Sequence, residues 1–201
     1  PREAWPVDLD LDGDIDIVQA VEGADDDLVW YENNGSQNFT KNTIDGSPGG
    51  SARSVSVGDI DGDGDLDISL TTYSSSNFYW YENNGSQSFT RRTISTDNTL
   101  FPVLIDLDED GDFDFVSHIN DGSNKIAWYE NDGSENFTQN IIANDYGAQL
   151  AVADLDEDGD YDVIGADYTN GHINWYENNG SESFTKNTIE NMNFRSLFKM
   201  F

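Results

Sequence analysis

Four short segments of the chain carry aspartate at alternate positions, and metal coordination is the chemistry that this pattern suggests. Each segment reads D-x-D-x-D-G-D-x-D, and the four begin at residues 8, 59, 106 and 154. Five carboxylates in nine residues repel one another at neutral pH unless a cation lies among them. Because the donors are all oxygens around a tight turn, they favour a hard ion, and Ca²⁺ accepts the irregular cage of roughly six to eight oxygens that such a loop makes. We therefore expect about four Ca²⁺ ions, one per loop.

The candidate metal ligands are the alternate aspartates of the four loops. They are Asp8, Asp10, Asp12, Asp14 and Asp16; Asp59, Asp61, Asp63, Asp65 and Asp67; Asp106, Asp108, Asp110, Asp112 and Asp114; and Asp154, Asp156, Asp158, Asp160 and Asp162.

A second block recurs with the same period, which indicates an array of structural repeats. It reads Trp-Tyr-Glu-Asn in every copy and begins at Trp30, Trp80, Trp128 and Trp175. In the second copy the strand signals fall at 54–57, 66–71, 77–82 and 89–94, and Asn84-Gly85 is a hairpin signal because both residue types tolerate positive φ. No segment has a sustained helical period.

The predicted fold is therefore all-β, with β-propeller blades built from four four-stranded repeats of about 48 residues. One repeat domain would cover residues 1–201, with blades at approximately 1–50, 51–98, 99–146 and 147–193. Residues 194–201 resemble the first strand of an incomplete fifth repeat, which predicts an extra C-terminal strand. Since the chain begins with proline, we expect a processed product or a fragment.

The composition argues against several classes of partner. The net charge of −31 opposes binding to nucleic acid and to anionic lipid, and half of the 40 acidic residues lie in the repeated loop positions. No apolar run is long enough to insert into a membrane. The chain has no cysteine, so disulfides do not indicate its compartment.

With these loops and blocks, nearly the whole chain resembles the FG-GAP/VCBS repeat family, the calcium-loop propellers that include integrin α-chain head domains and many secreted bacterial proteins. The bacterial VCBS type is the closer match. The resemblance implies that side chains at loop positions 1, 3, 5 and 9 and the backbone carbonyl at position 7 hold the ion. In the first loop these are Asp8, Asp10, Asp12 and Asp16, with the carbonyl of Asp14. Family propellers usually have about seven blades and this chain has four repeats, so the sequence does not decide whether the blades close into a ring.

Other interpretations of the motifs have less support. An EF-hand requires a glutamate at loop position 12 and flanking helices, and neither is present. No nucleophile motif accompanies His118 or His172, which we expect to be ordinary surface or turn residues. The sequence does not exclude glycoside cleavage by a pair of carboxylates outside the loops. The Trp series is expected to pack between blades, whereas Tyr31, Tyr81, Tyr129 and Tyr176 would face the other way, half-exposed. Glycosylation sequons occur at Asn34, Asn38, Asn84, Asn136 and Asn179.

The sequence thus predicts a secreted or cell-surface, calcium-binding propeller that acts as a binding or adhesion module and is not an enzyme. Its partner would be a protein or a polysaccharide. One alternative is a structural subunit of an extracellular filament that assembles through the C-terminal strand. Another is a non-catalytic part of a larger secreted polysaccharide-active enzyme.

Overall fold

The computed structural model describes residues 3–21, 27–145, 149–167 and 171–191, which form four antiparallel sheets of four strands each. The first sheet contains β1 (Glu3–Val7), β2 (Asp16–Ala20), β3 (Leu28–Asn33) and β4 (Phe39–Asp45). The second contains β5 (Ala52–Gly58), β6 (Asp67–Thr72), β7 (Phe78–Asn83) and β8 (Phe89–Ser95). The third contains β9 (Thr99–Ile105), β10 (Asp114–Ile119), β11 (Lys125–Asn131) and β12 (Phe137–Ala143). The fourth contains β13 (Gln149–Ala153), β14 (Asp162–Asp167), β15 (His172–Asn178) and β16 (Phe184–Asn191).

Each sheet is a meander in sequence order, and this confirms the predicted all-β, propeller-like fold. The predicted extra strand at residues 194–201 lies outside the described residues. Within the described ranges, no helix is long and apolar enough to cross a membrane.

The hairpin between the third and fourth strands of each blade differs from the predicted Asn-Gly turn. In the second blade, residues 84–88 connect β7 to β8, and positive φ occurs at Gly85 and Gln87 rather than at Asn84. The Asn84 side chain instead accepts hydrogen bonds from the backbone N–H groups of Ser86 and Ser88, at 3.0 and 3.3 Å. Asparagine therefore acts here as an acceptor that fixes a five-residue loop, and its own backbone is not left-handed.

The first strand of each blade lies on the inner side of an arc. Strand β5 packs between β1 and β9, and β9 packs in turn against β13. Among the described residues, no contact of similar extent joins β13 to β1. Each acidic loop follows the C-terminal end of an inner strand, so the four loops lie on the same face of the arc, one in each blade.

Within the described part of the chain, the apolar core is divided into three clusters, and each cluster lies between two neighbouring blades. Trp30 belongs to the first cluster, Trp80 to the second and Trp128 to the third, and each is at least 94% buried. In the second cluster the Phe78 ring meets Phe115 of the next blade edge-to-face, with centroids 4.9 Å apart. These contacts support the packing role expected of the tryptophans. Trp175 is half-buried, because no further blade covers it within the described residues.

The tyrosine series corrects the sequence-based expectation. Tyr81, Tyr129 and Tyr176 are 1% exposed, not half-exposed, and each lies in the cluster shared with the preceding blade. Each Tyr does point to the face of its blade opposite to the Trp, as predicted. That face is buried because it packs against the preceding blade. Only Tyr31, on the blade without a described predecessor, is half-buried as expected.

The expectation that both histidines lie at the surface is also wrong. His118 is fully buried in β10, where burial lowers its pKa because the charged imidazolium is poorly solvated. His172, on β15, is half-buried.

Candidate metal centres

Backbone hydrogen bonds to the aspartates themselves shape each acidic loop. In the third loop, Asp108 Oδ1 accepts from the N–H of Asp110 at 3.3 Å, and Asp110 Oδ1 accepts from the N–H of Asp112 at 2.9 Å. Asp106 Oδ2 accepts from the N–H of Gly111, whose φ of +102° strongly favours glycine. The alternate acids therefore wind the backbone around a common centre.

The loops bring carboxylate oxygens from three aspartates together. In the first, third and fourth loops, one oxygen each from positions 1, 3 and 9 lies within 4.8 Å of the others, whereas positions 1, 3 and 5 meet in the second. The groups are Asp8, Asp10 and Asp16; Asp59, Asp61 and Asp63; Asp106, Asp108 and Asp114; and Asp154, Asp156 and Asp162.

The remaining candidate ligands make other contacts. Carboxylates at position 5 accept a hydrogen bond from the position 7 backbone in every loop, including the second, where this carboxylate also belongs to the three-residue group; these residues are Asp12, Asp63, Asp110 and Asp158. Side chains at position 7 lie against the glycine of the same blade's hairpin; these are Asp14, Asp65, Asp112 and Asp160. Position 9 of the second loop, Asp67, is not part of the three-residue group of that loop.

The aspartate at position 9 is fully buried and held from both sides. In the second blade, Asp67 Oδ2 accepts from the N–H of Ile60 at 3.1 Å, and its Oδ1 accepts from the N–H of Asn83 at 2.7 Å. The Asn83 side chain also donates to the carbonyl of Leu66. Burial raises the pKa of Asp67 to about 7, although these N–H groups and the Trp80 indole oppose the shift.

Sequence reasoning missed the asparagine that ends each third strand. Asn33, Asn83, Asn131 and Asn178 all bind the position 9 aspartate through their backbone N–H, at 2.7–2.8 Å. The signal was present, because this asparagine is the last residue of the Trp-Tyr-Glu-Asn block and recurs with the loops. The second repeated block thus holds the first one in place.

Loss of solvation raises the pKa of further carboxyl groups in the loops. Burial, together with neighbouring carboxylates, raises the pKa of Asp10, Asp61, Asp108 and Asp156. Burial also raises the pKa of Asp114 to about 6. Carboxylates held in this way are poorly stabilised as anions, and a cation among them would remove the penalty.

The donor set fits a calcium ion. Asp8 Oδ1, Asp59 Oδ1 and Asp106 Oδ1 are buried and have no hydrogen-bond partner among the described residues. A buried carboxylate oxygen without a partner is costly, and a hard cation is the ligand that such oxygens accept. In the fourth loop Asp154 and Asp156 are exposed, and this loop therefore offers a more open site.

A further acidic group bridges the second and third blades. Asp61, Glu82 and Glu135 approach one another here. Arg92 forms an ion pair with Glu135 at 2.9 Å and donates from Nε to Glu82 at 2.7 Å. The guanidinium offsets part of the negative charge of this group and connects Glu82 of the second blade to Glu135 of the third.

The blades and loops together define a repeat protein of the propeller type that carries one acidic loop per blade. Profiles of the FG-GAP-like repeat match residues 8–70, 63–117 and 106–165, so the chain belongs to the FG-GAP-like repeat family. No curated protein matches the chain. Among solved structures, a lectin of Agrocybe aegerita that recognises non-reducing terminal N-acetylglucosamine aligns with 94% of this chain at 17% identity and a TM-score of 0.46. The aligned region spans 66% of that lectin.

Proposed function

We propose that the chain is a calcium-binding propeller module that works outside the cell, in secreted form or at the cell surface, by binding a partner and without catalysing a reaction. The observation that carries the proposal is the meeting of three carboxylates in each of four loops, with a buried, unpartnered oxygen in three of them. Membership of the FG-GAP-like repeat family supports the same conclusion.

In the proposed sites, positions 1, 3 and 9 of the first, third and fourth loops supply side-chain oxygens to the ion, and positions 1, 3 and 5 supply them in the second loop. The ion would stabilise a loop that is otherwise strained by charge, and it would connect the inner strand to the second strand of its blade. Extracellular calcium modules have dissociation constants of roughly 10⁻⁴–10⁻³ M, which suits the calcium level outside cells. Because its ligands are more exposed, the fourth site would be the weakest of the set.

Calorimetric titration of the chelated protein with Ca²⁺ tests the proposal. We expect about four sites, and Asp106→Asn should remove one of them because it alters an oxygen that has no other partner. Asp132→Asn is the matched control: it makes the same change of charge in the exposed hairpin of the same blade, where the other blades carry asparagine. Melting that is unchanged by EDTA, or equal loss of a site in both variants, would refute calcium binding by the loops.

A further inference from the structure

A cavity of about 540 Å³ opens at the N-terminal ends of the inner strands. The acidic loops lie at the opposite, C-terminal ends of these strands. The cavity is formed by the N-terminal halves of β1, β5, β9 and β13, so every blade contributes to it. Its volume falls within the range of roughly 300–1,000 Å³ that is typical of small-molecule sites. The proposed calcium sites do not involve this cavity, so its role is a separate question.

Two inner strands depart from regular pairing at this cavity. In β5, Arg53 is an extra residue between Ala52, which pairs with Thr72, and Ser54, which pairs with Thr71. In β9, Phe101 and Pro102 lie between pairs in the same way. The inner strands of the first and fourth blades pair without a shift. Bulges redirect side chains and are common beside binding sites, and among the inner strands they occur in the two middle blades only, whereas every blade has a register shift between its third and fourth strands.

The bulge in β9 holds Phe101 in an unusual conformation. Its φ is +50°, and it is the one non-glycine residue with positive φ inside a strand of the described chain. A bulky residue in this region is strained, and such strain concentrates at functional sites. The consequence is an aromatic ring that lines the cavity and remains 41% exposed.

Aromatic rings and one cation share the cavity and its rim. The Arg53 guanidinium carbon lies 5.1 Å from the centre of the Tyr73 ring and 5.2 Å from that of Phe101, so the two rings flank the cation. Trp5 of β1 also lines the cavity and is 39% exposed. Exposed aromatic faces in a concave site are platforms for flat, apolar ligand surfaces.

The polar groups of the cavity include both signs of charge. Glu3 lines it beside Arg53, and one Glu3 oxygen accepts a hydrogen bond from the backbone of Val55 at 3.0 Å. Asn120 and Gln149 add amide groups. Hydroxyl groups donate and accept, so a ligand rich in them can satisfy carboxylate, guanidinium and amide together. A net anion is disfavoured because the chain carries a charge of −31.

We propose that this cavity binds a neutral saccharide, with Trp5 and Phe101 stacking against its apolar face and Arg53, Glu3 and Gln149 bonding its hydroxyl groups. The inference rests on the proposed binding function and names the class of ligand. Under this proposal calcium binds at the C-terminal ends of the inner strands, and the saccharide binds at their N-terminal ends.

Binding of the calcium-saturated chain to a panel of immobilised neutral, uronic-acid-containing and sialylated oligosaccharides tests the assignment. We expect binding to neutral members, and a loss of at least about tenfold in affinity for Trp5→Ala and Phe101→Gly, as for a central aromatic contact. Glycine is chosen at position 101 because it accepts the positive φ without strain. Phe39→Ala, which removes a similarly exposed ring (48%) from β4, should bind as the unaltered chain does.

Calcium titration of the same preparations separates the possible failures. Four calcium sites with no binding to any neutral oligosaccharide would overturn the saccharide site and leave the proposed calcium function intact. Binding restricted to acidic oligosaccharides and abolished by Arg53→Gln would also overturn it, because the ligand would then be an anion. Equal loss of binding in Phe39→Ala and Phe101→Gly would place the contact outside the cavity.

Discussion

The carboxylate of Asp65 lies against the backbone of Gly85, in the space that a side chain at this position would fill. The same pair, position 7 of the acidic loop and the hairpin glycine, occurs in all four blades. Glycine is therefore required here twice, by a positive φ and by the close approach of an acid. The contact connects the acidic loop to the hairpin of its own blade.

We expect Gly85→Ala to lower the free energy of unfolding by about 1–3 kcal/mol more than Gly62→Ala does, since overpacking adds to backbone strain. Gly62 has a nearly equal φ (+74° against +72°) but open space around its Cβ position. Urea denaturation in saturating calcium measures both. Adding Asp65→Ala should recover part of the Gly85→Ala loss, and equal losses in the two single variants would refute the steric explanation.

Trp80→Ala should cost about 3–5 kcal/mol, the usual range for a large aromatic side chain removed from a core. Trp175→Ala should cost clearly less, because Trp175 is only half-buried whereas Trp80 is 1% exposed. Chemical denaturation of both variants provides the comparison. Full stability in Trp80→Ala would show that the tryptophan series does not hold neighbouring blades together.

Tyr81→Phe should weaken the contact between the first two blades by about 0.5–1.5 kcal/mol, the net value of one hydrogen bond. The Tyr81 hydroxyl donates to Asp45 Oδ2 at 2.9 Å, and Arg91 pairs with the same oxygen. Tyr31→Phe, on the face without a described neighbour, is the control. If the effect of Tyr81→Phe persists unchanged in an Asp45→Asn background, the two residues are not coupled.

His118 should make the chain less stable in mild acid. Its folded-state pKa is lowered by burial, so the unfolded chain binds the proton more readily. The cost is absent at high pH and grows as pH falls through the ordinary histidine value of about 6.5. As the pH falls from about 7 to about 5, the unaltered chain should therefore lose more unfolding free energy than the His118→Gln variant does. His172→Gln is the control, and a pH-independent difference for His118→Gln would contradict the prediction.

The loops and strands could be predicted because their causes are local. The spacing of aspartates and the β-branched and aromatic runs indicated where Asp67–Thr72 and Phe78–Asn83 would form. The burial of Tyr81 could not be predicted in the same way, because alternation tells which face a side chain takes but not what covers that face. The stacking of one blade on the next decides this.

The bulges at Arg53 and Phe101 were also beyond the sequence signals. One extra residue in a strand changes no periodicity that a short window can detect. Pro102 lies at the bulge of β9, but proline does not identify a bulge by itself, because Pro6 of β1 pairs without a register shift. The role of Asn83 was missed for a different reason. Its recurrence was visible, but its target, the carboxylate of Asp67, is 16 residues away and is reached only when the second and third strands pair.

The division of the core into three clusters, each shared by two neighbouring blades, makes the chain a stack held by nearest-neighbour contacts rather than a body with one centre. Duplication or deletion of one repeat in the gene would preserve every kind of contact, because each new blade presents the same tryptophan and tyrosine faces as the one it adjoins. Such an architecture can change length over evolutionary time without the redesign of a core. The bulged inner strands of the two central blades, by contrast, are individual features that a duplicated copy could lose or alter while its acidic loop is kept.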